Sequence, residues 1–118
     1  MSFINHIPAY LIGAGTALTN LDLNQSGADD FAGALLMYAG YAIDTVVKGG
    51  DIPPLPEVVK KGTTEKITGA SRSILTIASA VLVIAQFEVG GRAATVLKYV
   101  YQSVQALLDN QPVPPIGA

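Results

Sequence analysis

A chain of 118 residues, half of them apolar and only 14% charged, has room for one domain and carries a surface short of charge. Its net charge of −2 offers no global attraction to nucleic acid or an acidic membrane, and without cysteine it can form no disulfide, thiol nucleophile or cysteine metal site. Small soluble monomers usually keep a well-charged surface, so a mean hydropathy of +0.43 predicts that protein neighbours or lipid cover much of the outside.

The N-terminus, Met1-Ser2-Phe3-Ile4-Asn5-His6, lacks the basic stretch that opens a secretory signal. No cleavable signal is expected, and the compartment stays open, with an extracellular assembly or a virion among the settings. Residues 7–19 are uncharged and apolar and predict a short helix within an N-terminal arm over 1–25, weakened by Gly13 and Gly15. Ile12-Gly13-Ala14-Gly15-Thr16-Ala17-Leu18 imitates the start of a dinucleotide fingerprint, but Leu18 stands where the third glycine belongs and no strand–helix–strand unit follows. Close approach of another segment is the expected use of these glycines. Asp22, Asn24 and Ser26, followed by Gly27, match the first half of a calcium loop, yet Gly33 occupies the place of its bidentate glutamate. They are a weak metal candidate, because Ser26 and Asp29 read better as a helix-capping box.

The second element is a helix over about 28–48, in which Phe31, Leu35, Tyr38, Ala42 and Val46 recur at three- and four-residue steps. Leu36, Ile43 and Val47 widen that stripe, Asp30 complements the helix dipole, and Lys48 with Gly49-Gly50 supplies the stop. Asp51-Ile-Pro-Pro-Leu-Pro-Glu57 cannot be an interior helix, since its prolines lack donors and restrict their predecessors, so an extended connection is expected. A third helix is predicted from Thr63 or Thr64, with Ile67, Ala70, Ile74, Ile77, Ala78, Val81, Ile84 and Ala85 on one side. After Gly90-Gly91, the residues Ala93, Leu97, Val100, Val104 and Leu107 form a heptad-like seam. β-branched residues between 74 and 84 admit a buried strand, which the longer helical period outweighs. Asn110 to Ala118 is Pro-rich and reads as an extended tail. The fold class is therefore all-α: a small hairpin or bundle of about three helices in a single domain over 1–118, with an extended Pro-rich connection and a tail over 111–118.

No constellation points to catalysis, and no cofactor is expected. His6 is the sole histidine and lies near the chain end, while Asp29 and Asp30, as neighbours on a helix, point about 100° apart. Lys60, Lys61, Lys66 and Arg72 concentrate positive charge within thirteen positions and could face phosphate, but lack interleaved aromatics; a solvated turn is the stronger reading.

Gly33 and Gly40, seven apart on one side of the second helix, allow close approach of another helix. The expected activity is that of a non-enzymatic structural subunit that packs against copies of itself as a filament, tube or virion-like shell such as a capsid or tail. The contact is expected at Gly33, Leu36, Gly40, Ile43, Val47, Ile77, Val81, Ile84, Leu97 and Val104, and on this reading Gly40→Leu blocks assembly without melting the helices. The same faces would serve an intramolecular hairpin. Two further readings are a small membrane-associated, pore- or holin-like protein and a soluble helical adaptor. Against the membrane, the charge-free run 73–87 between Arg72 and Glu88 falls short of the roughly 20 residues needed to span a bilayer.

Overall fold

The computed structural model describes residues 6–20, 27–67, 69–89 and 91–116, apart from the side chain of Arg92. Asp22, Asn24 and Ser26, and with them the calcium-loop and capping-box readings, lie outside the described residues. The described residues are all-α and form five helices: α1 (Ile7–Asn20), α2 (Gly27–Val47), α3 (Glu57–Lys60), α4 (Gly69–Val89) and α5 (Gly91–Leu108). The expected count of about three is too low, because the predicted short first helix is a full element and a single turn comes after the prolines.

Each helix follows from its apolar spacing, and most of the visible ends follow from local backbone chemistry. α1 buries Ile7, Leu11, Gly15 and Leu18 on one side, and Pro8 stands in its first turn, where its missing donor costs nothing. α2 carries Asp29 and Asp30 in its first turn and ends where Gly49 turns left-handed (φ +86°). Gly49 N–H then donates to the Val46 carbonyl at 3.0 Å and Gly50 N–H to that of Thr45 at 2.8 Å. α5 ends by the same device, with Asn110 at φ +60°, its N–H on the Leu107 carbonyl and that of Gln111 on the Ala106 carbonyl. α3 starts after the extended Pro56 and stops at Gly62, again left-handed.

The predicted start of the third helix at Thr63 or Thr64 is corrected to Gly69. Thr63 is committed elsewhere: it exchanges both backbone hydrogen bonds with Val113, at 2.9 Å each, and its hydroxyl oxygen accepts from Glu65 N–H. A backbone paired with a distant segment cannot also enter a helical ladder. The extended tail is thus docked on its own chain as far as Ile116, whose N–H donates to the Lys60 carbonyl at 2.8 Å.

The four long helices close a ring of contacts, α1 on α2, α2 on α5, α5 on α4 and α4 on α1. α2 is the central member: Phe31, Leu35, Leu36, Ala39, Ala42 and Ile43 are all buried along one broad side, while Asp30 and Tyr41 face outward. α3 packs on α2, and the Tyr38 hydroxyl donates to the Pro53 carbonyl at 2.7 Å, tying the proline segment to α2. Burial raises the Tyr38 pKa by penalising the phenolate. Arg72, at the start of α4, donates to the Leu108 carbonyl at the end of α5, a favourable place for a cation.

Candidate self-assembly surface

α4 turns only one of its sides inward. Ser71, Leu75, Ala78, Leu82 and Ala85 are buried, two or three residues away from an opposite side made of Ser73, Ile77, Ala80, Val83, Ile84 and Phe87, all exposed. Ile77 is 57% and Phe87 85% accessible, values at which a large apolar side chain keeps most of its unfavourable contact with water. Residues 73–87 contain no charge, and two of their three hydroxyls are turned back on the helix: Thr76 donates to the Arg72 carbonyl at 2.8 Å and Ser79 to that of Thr76 at 2.7 Å. What remains outward is a nearly pure hydrocarbon stripe, suited to an apolar neighbour. Past half-buried Val81, the surface opens into a groove shared with Ile7 and Tyr10 of α1, with His6 on its rim. On the other flank Val83 and Phe87 share a second groove with Ala94 and Tyr101 of α5.

The structure separates the residues expected at this contact into two groups. Gly33, Leu36, Gly40, Ile43, Leu97 and Val104 are buried within the chain, and this corrects their expected place on an outer surface. For Gly33 and Gly40 the reason is the short helix α1, which occupies the glycine face, whereas Leu97 and Val104 belong to α5, which packs on α2 and α4. A Cβ on Gly33 would lie 2.6 Å from the Thr19 hydroxyl oxygen and 2.8 Å from the Gly15 carbonyl, and one on Gly40 would lie 2.8 Å from the Pro8 carbonyl. Gly15 faces the same crossing, where a Cβ would lie 2.6 Å from the Gly33 carbonyl, whereas a Cβ on Gly13 would meet nothing within 4 Å. The glycine pair that imitates a nucleotide fingerprint therefore lies inside a helix, and one member serves helix packing.

The second group, Ile77, Ile84 and Val47, is exposed, with Val81 half-buried at the groove. Val47 stands at the end of α2. Phe87, the most exposed of the large apolar side chains, was not among the expected contacts. A signal for it exists, since Ser73, Ile77, Ala80, Ile84 and Phe87 step by four, three, four and three, the spacing of a helix seam.

The basic cluster does not form one patch free to meet phosphate. Lys60 lies 3.7 Å from Glu57 and Arg72 bonds the end of α5, leaving Lys61 and Lys66 in solvent. No group of three metal-ligating side chains occurs among the described residues. Comparison with protein-family models, with curated proteins and with solved structures finds no match to this chain.

Proposed function

We propose that this protein is a non-enzymatic structural subunit that packs against copies of itself through the outward side of α4. The observation that carries this reading is the charge-free exposed stripe ending in Phe87 at 85% accessibility, on a helix whose other side is held in a closed ring of partners. An interface needs an apolar centre of large side chains with few unmet polar groups, and this stripe has that composition. A filament, tube or virion-like shell is the class of assembly the reading favours, since a repeating contact between such subunits requires no reaction centre.

The test is the mass of detergent-free protein by light scattering, alongside negative-stain images. Assembled wild type is expected, together with a monomeric Ile84→Ser/Phe87→Ser double variant of unchanged helical circular dichroism. A wild-type chain that stays at monomer mass over the accessible concentrations rules the reading out.

A second reading has its own observation: α4 is long and apolar enough, by length and composition, to cross a membrane. In that case lipid, not protein, covers the stripe. Flotation with neutral phosphatidylcholine vesicles separates the two, because recovery of the chain with the vesicles favours lipid and recovery of particles without them favours self-assembly.

A further inference from the structure

The tail over 111–116 leaves no peptide donor unused, although three of its six residues are proline and have none to offer. Gln111 N–H bonds the Ala106 carbonyl, Val113 N–H the Thr63 carbonyl and Ile116 N–H the Lys60 carbonyl. Val113 is also the one buried residue of the segment, and Thr63 N–H returns a bond to its carbonyl. Gly62 faces the same carbonyl so closely that a Cβ there could not be accommodated. Residues 60–63 are therefore a receptor built for this tail, with matched donors, acceptors and clearance.

Which copy of the receptor the tail meets is decided by one short segment. The tail hangs on a short hinge, Asp109-Asn110-Gln111, in which Asn110 adopts the left-handed region at φ +60°, uncommon for a residue with a Cβ. The prolines stiffen the segment beyond this hinge, so little order is lost when it docks on any copy of the receptor. Beneath the tail, Tyr99 lines a groove with Pro112 and Val113, and its hydroxyl oxygen is buried with no hydrogen-bond partner among the described residues. Short hinges on an otherwise self-sufficient segment favour exchange between copies, since every contact made within one chain is remade between two.

We propose that the tail is exchanged between neighbouring subunits, Val113 of one copy pairing with Thr63 of the next. The inference rests on the self-assembly reading and adds a second contact to it, independent of the α4 stripe.

The natural chain has no cysteine, so single thiols can be placed without competition. A Thr63→Cys chain and a Val113→Cys chain are unfolded together, refolded at assembling concentration and oxidised, with circular dichroism confirming that both fold. Exchange is expected to give a disulfide-linked two-chain band on a non-reducing gel that neither chain oxidised alone produces, reduced several-fold when Gly62→Val is added to the Thr63→Cys chain. If light scattering shows assembly while the mixture gives no two-chain band, and a chain carrying both cysteines closes its bond internally, exchange is overturned and self-assembly stands. If neither chain leaves monomer mass, the self-assembly reading fails and exchange with it.

Discussion

α2 and α4 are both 21 residues long and both apolar around most of their circumference, yet α2 buries more than half of its surface and keeps Tyr41 outside, whereas α4 buries a single side. α2 touches α1, α3, α4 and α5, so even Leu36 and Ile43, at the edge of its main stripe, are buried. α4 has α1 and α5 along its flanks, with a lesser contact to α2, and its far side has no neighbour within the described chain. The difference lies in the residues that meet them. Gly33 and Gly40 let α1 lie against α2 with its backbone nearly in contact, whereas α4 presents Ile77, Val83, Ile84 and Phe87, side chains that hold a neighbour at a distance and complete a contact by interdigitating. An apolar helix therefore does not announce how many of its faces the fold will use.

The strongest way to break the comparison is at the α1–α2 crossing. Gly40→Leu places a Cβ 2.8 Å from the Pro8 carbonyl, with further atoms behind it, and is expected to destabilise the chain by about 3 kcal/mol or more through overpacking against backbone. Thermal melting followed by circular dichroism measures it; an unchanged midpoint would show that α1 is not held there. This reverses the expectation from sequence alone, in which Gly40→Leu spares the fold and stops assembly.

The contrast is sharpened by two substitutions two residues apart on α4. Leu82→Ala, on the buried side, is expected to cost about 3 kcal/mol for lost transfer energy and a cavity, and Ile84→Ala, on the exposed side, less than about 0.5 kcal/mol. Assembly is expected to respond in the opposite order, with Ile84→Ala the more damaging. Chemical denaturation at high dilution, compared with scattering mass, reads both; equal losses of stability would mean that the two sides of α4 are not distinct.

The smallest effect concerns the cover over α2. Tyr38→Phe removes the bond to the Pro53 carbonyl and is expected to cost about 1 kcal/mol. Because burial raises the Tyr38 pKa, the neutral phenol is the form the fold favours. Its contribution is fully present below the ordinary tyrosine range and is lost as pH rises through the raised value. Stability measured from pH 8 to 11 should therefore fall more steeply in wild type than in Tyr38→Phe, and parallel curves would contradict that assignment.

Much of the chain was legible as written. The steps from Phe31 to Val46 gave α2 to within a residue at each end, and those from Ala93 to Leu107 gave α5, because burial of a helix imposes its period on the chain. The start of α4 was not legible, since it depends on Thr63 finding Val113 fifty positions away, and local pattern carries no trace of such a pairing. Nor was the role of Gly33 and Gly40: small residues mark a close approach, but the approaching partner can be α1 or another chain, and the two leave the same letters.

The sequence by itself determined the all-α class, the apolar stripes and the shortage of charge, each a matter of composition and spacing within one segment. Only the tertiary structure decided which stripes face inward, because α1 occupies the glycine face of α2 and the outward side of α4 is left uncovered. Burial belongs to pairs of surfaces, and a sequence spells out surfaces one at a time.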